Sequence, residues 1–437
     1  MKADFLKILF KKPAIIIKII NGLFQDILFQ SIYFLVQIRH RWKIRAVSKK
    51  TRIKVAFFLI HEPVWKYEVL YRLLVKNDRF EPVVIVCPFM VYGTENMLRD
   101  MNQAYNSFLD KGYNVIKTYD KDSDKWLDIK KTIKPDIVFF TLPHPVTKNE
   151  YYIKNFMDTL TCYVPYTFQT TYHYQQNYNR FFHNVLWKAY YQTTIHYEIA
   201  KKYSKIKAKN VIVSGYPGID LFITNDKNND KKNENALKKK IIWAPHHTIE
   251  GEGLDLNFSC FLRYYDFMIE LATNYKDKIF ITFKPHPALR AKLYKEEIWG
   301  KERTNRYFDF WGNNNFCALN EGNYQELFLE SDAMIHDCDS FMGEYLSLNK
   351  PVLYTYRDEY VKDRFNDFGK HVYDLHYKAG DEDGILFFIN EIVINGKDEM
   401  KLLRNIWIKK YLLPPGSGSA SENIYNDLKK ELNIDEI

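Results

Sequence analysis

The feature of this sequence that most constrains its fold is a repeated alternation of short, continuous apolar runs with longer mixed segments. The run Ile53–Ile60 (IKVAFFLI), for example, precedes a helix-like stretch around Tyr67–Lys76. Continuous apolar strands that alternate with helices are typical of a parallel sheet covered on both faces. In the first half of the chain the predicted strands are Ile53–Ile60, Pro82–Cys87, Tyr113–Lys117, Asp136–Thr141 and Val211–Ser214.

A polar segment interrupts this alternation, which then begins again. Between Thr224 and Lys240 only Ala236 and Leu237 are apolar, so the segment is predicted to be a linker or a solvated loop. The strands predicted after it are Lys240–Ala244, Lys278–Phe283, Asn315–Leu319, Ala333–His336 and Pro351–Tyr354. The chain is therefore expected to be an α/β protein with two Rossmann-like, doubly wound domains that face a central cleft.

The predicted organisation has five parts. They are a basic amphipathic extension (1–50), an N-terminal Rossmann-like domain (51–225), a linker (226–240), a C-terminal Rossmann-like domain (241–400) and C-terminal helices (401–437). No GxGxxG follows the first strand and no GxxxxGK[ST] occurs, which disfavours nicotinamide dinucleotides and P-loop hydrolysis.

The excess positive charge is confined to the start of the chain. The net charge is +9, and residues 1–50 carry eleven Lys/Arg against only Asp4 and Asp26, so the remaining chain is balanced. A nucleic-acid partner is disfavoured, because such proteins spread basic residues over a folded face. The five cysteines form no CxxC pair, which fits a reducing cytosol.

The basic extension carries two competing interpretations. Ile16, Ile20, Leu23, Ile27 and Phe34 fall near helical spacing, and a basic cluster follows at residues 39–45. The longest charge-free stretch has 12 residues, too short to span a bilayer. The pattern predicts a cationic helix lying on an anionic membrane surface. The alternative is a helix that packs on the body or on a second copy, and a homo-oligomer is left open.

Histidines recur where predicted strands end. Six of the twelve lie in five such loops: His61, His144, His246, His247, His286 and His336. Strand ends of open α/β sheets are where ligands bind. Imidazoles there suit proton removal from a hydroxyl or hydrogen bonding to phosphate. No HExxH pattern accompanies them, so no metal ligand is assigned. No cofactor is predicted with certainty, and Mg²⁺ remains open, with Asp337 and Asp339 as the available carboxylates.

The segment Ser331–Tyr345 is the most informative part of the sequence. A strand ends in a polar loop and a helix is predicted to begin near Ser340, where free backbone N–H groups can bind phosphate. Glu344 then lies one turn inside that helix, where its carboxylate is expected to bind a ribose diol. The competing interpretation is an ordinary helix cap with an acidic first turn.

Three blocks of the sequence resemble the CDP-glycerol glycerophosphotransferases of teichoic acid and capsule assembly. They are WAPHHTIEG (243–251), FKPHP (283–287) and the run from Ser331 to Tyr360, and Gly418–Glu422 is similar to the family's ending. The resemblance implies a GT-B fold and a cytoplasmic enzyme on the inner face of the membrane. Such an enzyme moves a polyol phosphate from a CDP-alcohol to a polysaccharide or lipid-linked acceptor.

The resemblance also implies site residues. His286 contacts the donor pyrophosphate and Ser340 a donor phosphate, and the donor side is completed by His246, His247, Lys284, Asp337, Glu344 and Lys350. Glu62 and His144 are assigned to the acceptor side. The family's His-Gly-Thr motif is missing, which leaves His61 or His173 as the base. Where the family has Ser-Ser, this chain has Asp339-Ser340. A nucleotide-sugar glycosyltransferase and a non-catalytic membrane scaffold are the alternative functions.

Overall fold

The computed structural model describes residues 13–91, 93–222, 238–249, 257–322 and 324–434, and the side chains of its first helix from Ile27 onward. Residues 1–12 of the predicted extension and 226–237 of the predicted linker lie outside these ranges, as do Glu250 and Gly251 of the first resemblance block.

The first sheet is parallel and has seven strands. They are β1 (Ile53–Leu59), β2 (Phe80–Val86), β3 (Val115–Lys117), β6 (Ile137–Phe140), β7 (Leu160–Tyr163), β8 (Lys188–Tyr191) and β9 (Val211–Val213). Their spatial order is β3-β2-β1-β6-β7-β8-β9, with every pair parallel. A separate antiparallel pair, β4 (Tyr119–Asp120) and β5 (Lys125–Trp126), lies beside it.

The second sheet repeats the plan with six parallel strands. They are β10 (Lys239–Ala244), β11 (Ile279–Phe283), β12 (Cys317–Leu319), β13 (Ala333–His336), β14 (Val352–Thr355) and β15 (Tyr377–Ala379). The order is β12-β11-β10-β13-β14-β15. In each sheet the strand order reverses beside the first strand, so the topological switch points lie between β1 and β6 and between β10 and β13.

Helices cover both sheets. They are α1 (Pro13–Val47), α2 (Glu68–Val75), α3 (Gly93–Asp110), α4 (Ile129–Thr132), α5 (Tyr174–Tyr178), α6 (Phe181–Val185), α7 (Thr194–Tyr203), α8 (Phe261–Asn274), α9 (Pro287–Leu293), α10 (Gly300–Asn313), α11 (Gln325–Glu330), α12 (Phe341–Leu346), α13 (Asp367–Asp374), α14 (Glu382–Phe387), α15 (Lys401–Trp407) and α16 (Ala420–Glu431). Two π-helical segments, Phe388–Ile394 and Ile408–Leu412, continue α14 and α15.

The predicted α/β fold is confirmed, and each predicted strand is present with boundaries shifted by a few residues. In the two parallel sheets the sequence analysis missed β7, β8 and β15, and it also missed the short separate pair β4 and β5. Strand β8 (KAYY) begins with a lysine, which the apolar-run criterion rejects. The structure buries Lys188 because its Nζ pairs with Asp427 at 2.6 Å and Glu431 at 3.2 Å, both on α16.

Helix α1 packs against the body along one stripe and leaves other apolar side chains in solvent. Ile32, Val36, His40, Ile44 and Val47 follow one another at three- or four-residue spacing and face the first sheet. Lys43 and Lys50 pair with the buried Asp136. The exposed side chains are Ile27, Leu28, Phe34, Leu35 and Trp42. Of the residues whose spacing predicted the helix, Ile27 and Phe34 are exposed, while a different stripe of α1 packs on the body, as in the alternative interpretation.

The end of the chain returns to the first sheet. The buried carboxylate of Asp220 accepts hydrogen bonds from the backbone N–H groups of Ala420 and Ser421 at 2.9 Å each, at the start of α16. Ser419 and Glu422 form a capping box at the same helix start. The Gly418–Glu422 block thus begins a helix that holds the first sheet.

Candidate active site

The candidate site lies where β10, β11 and β13 end, at the switch point of the second sheet. Pairing of β10 with β11 on one side and with β13 on the other brings the loops after these strands together. Those loops carry the three blocks of sequence that were singled out above. The histidine cluster (His246, His247 and His286) forms the centre of the site.

The three imidazoles of the histidine cluster are in mutual contact. Ring centroids lie 4.3 Å apart for His246 and His247, 4.2 Å for His247 and His286, and 5.3 Å for His246 and His286. Burial, together with the neighbouring His247 and a lysine, lowers the pKa of His286 to about 3. Burial and the two other histidines also lower the pKa of His246. Both rings are neutral at physiological pH.

Hydrogen bonds set the tautomers of two of these rings. The Nδ1 atom of His286 accepts from the backbone N–H of Ala288 at 3.1 Å. The Thr248 hydroxyl accepts from two backbone N–H groups, so its own hydrogen points to Nδ1 of His246, 3.0 Å away. Because each Nδ1 is an acceptor, each neutral ring carries its hydrogen on Nε2. Both rings therefore present N–H donors.

The positions of these N–H donors distinguish between two ligands for the histidine cluster, a metal ion and an oxyanion. One nitrogen from each of the three rings lies within 4.8 Å of the others, a spacing that metal ligands also have. A neutral imidazole binds a metal through an unprotonated nitrogen whose ring partner is a donor. His246 and His286 have the opposite arrangement, so they suit an oxyanion better than a zinc ion.

Lys284 adds a buried cation beside these donors. Its side chain follows β11 and is 5% exposed, and burial lowers the pKa of its ammonium group, an effect that Glu321 opposes. A buried lysine next to two N–H donors suits a phosphate group. The structure thus brings together His246, His247, His286 and Lys284 of the predicted donor side.

Asp337, predicted to be on the donor side, has a different role. It is 2% exposed, and its two carboxylate oxygens accept hydrogen bonds from the backbone N–H groups of His246 and Cys260. Burial raises the pKa of Asp337 to about 7. Because both oxygens are engaged, the carboxylate ties the His246 loop to β13 and is not available to a donor.

Asp339 and Ser340 lie at the edge of the site. Oδ1 of Asp339 is 4.0 Å from Nε2 of His246, and burial raises the pKa of Asp339 to about 6. The Ser340 hydroxyl lies 2.8 Å from the sulfur of Cys338, and Ser340 is the cap residue of α12. His336, also noted at a strand end, is fully buried and its Nδ1 contacts the backbone of Cys338, so it lies below the site.

The expected ribose contact of Glu344 is contradicted. Glu344 is 2% exposed and accepts hydrogen bonds from the hydroxyls of Tyr216, at 2.9 Å, and Tyr324. Nζ of Lys66, from the loop after β1, lies 3.6 Å from Glu344 and donates to Tyr324. These four residues form an inter-sheet network (Lys66, Tyr216, Tyr324 and Glu344). The carboxylate is buried and both of its oxygens are engaged inside the protein, so it is not presented to a ribose.

Lys350 is also corrected. Its Nζ donates to the carbonyl oxygens of Phe328 at 2.6 Å and Leu329 at 2.7 Å, at the end of α11. A cation there satisfies the final carbonyl groups of the helix. Lys350, predicted to bind the donor, therefore supports the end of α11.

On the first-sheet side, two segments reach the loop that holds Asp339 and Ser340. The hydroxyls of Thr167 and Thr170 donate to the carbonyls of Ser340 at 3.2 Å and Asp339 at 3.3 Å. Tyr166, whose pKa burial and Asp339 raise to about 12, contacts His144 with ring centroids 6.4 Å apart. His144, predicted on the acceptor side, therefore packs against Tyr166, a residue close enough to Asp339 to be affected by its charge. Burial lowers its pKa to about 4.

The other predicted acceptor-side residues are placed differently. The ring of His61 packs on Phe89 at 4.5 Å, and burial lowers its pKa although Asp100 opposes the effect. Glu62, in the loop after β1, pairs with Lys111, the residue after α3, at 2.5 Å, so its carboxylate is already engaged. His173 borders an open cavity with Tyr172 and Tyr174.

Sequence reasoning missed several residues that build the site. Lys66, Tyr166, Thr170 and Tyr324 are single polar or aromatic residues without a motif around them. Lys66 and Tyr324 follow the predicted strands β1 and β12, so the strand-end rule that located the histidines was the available signal for them. Tyr166 and Thr170 follow β7, which was itself missed.

The fold is of the GT-B class, with two Rossmann-type parallel sheets and a histidine cluster at the switch point of the second sheet. Residues 168–373 match the family described as CDP-Glycerol:Poly(glycerophosphate) glycerophosphotransferase. The match confirms the resemblance predicted from the sequence blocks. The chain is accordingly a CDP-glycerol glycerophosphotransferase-like enzyme. No curated protein matches the chain.

Solved structures agree with this fold. The wall teichoic acid polymerase TagF is similar with a TM-score of 0.57 and 15% identity, over 94% of this chain and 98% of that one. UDP-GlcNAc 2-epimerase from Neisseria meningitidis bound to UDP-GlcNAc gives 0.53 and 15%, over 87% and 100%. S. aureus MnaA in complex with UDP gives 0.52 and 16%, over 88% and 98%. These likenesses concern the fold.

Proposed function

We propose that this protein transfers glycerol phosphate from CDP-glycerol to a hydroxyl group of a cell-surface polymer, with release of CMP. The observation that carries the proposal is the convergence of the Nε2–H donors of His246 and His286 with the buried Lys284 at the end of β10 and β11. The family match over residues 168–373 supports the choice of CDP-glycerol.

In the proposed reaction an acceptor hydroxyl attacks the β-phosphorus of the donor. A bond forms between the acceptor oxygen and that phosphorus, and the bond from the phosphorus to the bridging oxygen breaks. The bridging oxygen leaves with CMP. The N–H donors and Lys284 neutralise the phosphoryl oxygens, so charge stabilisation and positioning provide most of the acceleration.

The acceptor proton must pass to a group on the first-sheet side. Two histidines lie on segments that touch the Asp339–Ser340 loop: His144 through Tyr166, and His173 through the segment that contains Thr170. The pKa of His144, about 4, makes it a weak base at neutral pH. We therefore assign the role of general base to His173, one of the two bases that the sequence suggested. His144 keeps its predicted role in contacting the acceptor.

A nucleotide-sugar glycosyltransferase would use the same cleft, and solved neighbours of this fold are complexes with UDP or UDP-GlcNAc. Thermal shift against CMP, CDP-glycerol, UDP and UDP-GlcNAc, with and without Mg²⁺, separates the two activities. A ligand that binds the native state raises the melting temperature. We expect selective stabilisation by CDP-glycerol, lost in His286→Ala and kept in the control His371→Ala, a surface histidine on α13. Stabilisation by UDP compounds alone would overturn the proposal.

We also propose that the protein acts in the cytoplasm at the inner face of the membrane. Arg39, Arg41 and Arg45 are exposed on α1 together with Phe34 and Trp42. Basic residues beside exposed apolar side chains favour an anionic bilayer surface. None of the described helices is long and apolar enough to cross a membrane. The five cysteines are free and buried, which suits a reducing compartment.

A further inference from the structure

We infer that an open aromatic cavity next to the active site binds an uncharged saccharide or polyol unit of the acceptor. The cavity is lined by Tyr172, His173, Tyr174, Gln175, Gln176 and Tyr203, and its volume is about 310 Å³. This size falls at the lower end of small-ligand sites. The inference rests on the proposed transferase function and names the part of the acceptor that this surface holds.

The chemistry of the lining fits a sugar or polyol. The rings of Tyr174 and Tyr203 stack with centroids 3.9 Å apart and an interplanar angle of 8°, and Tyr172 packs edge-on against His173 at 4.8 Å. Aromatic rings contact the C–H faces of sugars, while tyrosine hydroxyls, glutamine amides and imidazole provide donors and acceptors for hydroxyl groups.

The charge of the lining limits the ligand further. Among these six described residues none is an Asp, Glu, Lys or Arg, and the nearby charges, Lys202 at 5.1 Å from the Tyr203 ring centre and Asp367 near Tyr174, lie outside the lining. The phosphate-binding groups lie instead at the histidine cluster and Lys284. This division places the charged donor at one position and the neutral part of the acceptor at another.

Residues 170–172, which lead into the cavity, are held to the donor side by hydrogen bonds. Thr170 contacts the carbonyl of Asp339, and its own carbonyl accepts from the backbone N–H of Asn366 at 2.8 Å. Thr171 forms an antiparallel bridge with Phe365, and the N–H of Tyr172 donates to Arg364 at 3.1 Å. Thr170 and His173 are three positions apart, so their Cα atoms are at most about 11 Å apart. A chain held in the cavity can therefore extend a hydroxyl toward the donor.

The test combines kinetics with direct binding. In a transfer assay with CDP-glycerol and an oligo(glycerol phosphate) acceptor, Tyr174→Ala is expected to raise the acceptor KM about tenfold and to leave the donor KM unchanged. The exposed variant Gln176→Ala, which removes no packed side chain, is expected to raise it about threefold. Tyr411→Ala, on the π-helical segment near the C-terminus, is the control with no expected change. Unchanged acceptor KM in both cavity variants would overturn the inference.

Saturation-transfer NMR with methyl β-D-glucopyranoside tests the site without the reaction. We expect a signal in the wild-type protein that Tyr174→Ala loses and Tyr411→Ala keeps. No signal in the wild type, or an equal signal in Tyr174→Ala, contradicts the inference. Stabilisation by CDP-glycerol does not involve the cavity. A negative NMR result with a positive thermal shift therefore rejects only the cavity as a saccharide site. A positive NMR result without a thermal shift rejects CDP-glycerol as the donor.

Discussion

At the scale of single residues, the donor side depends on which ring nitrogens carry hydrogen. Backbone and hydroxyl groups hold Nδ1 of His246 and His286 as acceptors, so both residues act as neutral donors across the physiological pH range. Two carboxyl groups near them titrate close to neutrality: Asp337, whose pKa is about 7 and which accepts from backbone N–H groups, and Asp339, whose pKa is about 6. Of the two, Asp339 lies at the edge of the site, beside His246. Its protonation state therefore controls how much negative charge the donor phosphate meets.

This leads to a prediction for pH. Below its pKa Asp339 is neutral, and above it the carboxylate repels the donor phosphates, so CDP-glycerol binding should weaken as pH rises from 5.5 to 7.5. A unit charge at roughly 4 Å in a water-like medium contributes about 1 kcal/mol, or about fivefold in the dissociation constant. Calorimetry at the two pH values measures the effect. Asp339→Asn should bind with nearly the same affinity at both, and an unchanged pH dependence in this variant would contradict the assignment.

At the scale of elements, the inter-sheet network joins the loop after β1 to α12. Lys66 and Glu344 are both nearly excluded from solvent, and removing one member of such a pair leaves a buried charge behind. We expect Lys66→Met to lower the free energy of unfolding by about 3 kcal/mol in urea denaturation.

The double variant tests whether the effect is a pair interaction. Glu344→Gln removes the charge that Lys66→Met leaves unpaired. The double variant should therefore lose less free energy of unfolding than the two single variants added together, by about 1 kcal/mol or more. Lys130→Met, which breaks an exposed pair with Asp158, is the control and should cost less than about 1 kcal/mol. Strict additivity of Lys66→Met and Glu344→Gln would show that the network is not coupled.

Most of the fold and half of the site were predictable at this scale. Apolar runs located β1, β2, β6, β10, β11, β13 and β14, since such runs are what a doubly covered parallel sheet requires. Strand β8 was missed because its lysine is paired by α16, far along the chain. The histidine cluster followed from the strand-end rule. The role of Glu344 did not, because Lys66, Tyr216 and Tyr324 approach it only in the folded chain.

At the scale of the whole molecule, α1 places a basic and partly apolar surface next to the first sheet. Flotation with vesicles of anionic and of neutral lipid measures whether this surface binds a membrane. Arg39→Glu/Arg41→Glu should reduce recovery with anionic vesicles at least fivefold, because each basic residue near such a surface contributes about 1 kcal/mol. Lys130→Glu is the control. Equal recovery of the variant and the wild type would contradict membrane contact through α1.

Product analysis tests the central claim most directly. The full chain is incubated with CDP-glycerol and an oligo(glycerol phosphate) acceptor, and ³¹P NMR follows the phosphorus while chromatography follows the nucleotide. The account predicts one new phosphodiester for each CMP released, with His286→Ala slower by about 100-fold or more at an unchanged melting temperature. Release of CDP in place of CMP, or full activity in His286→Ala, would contradict it.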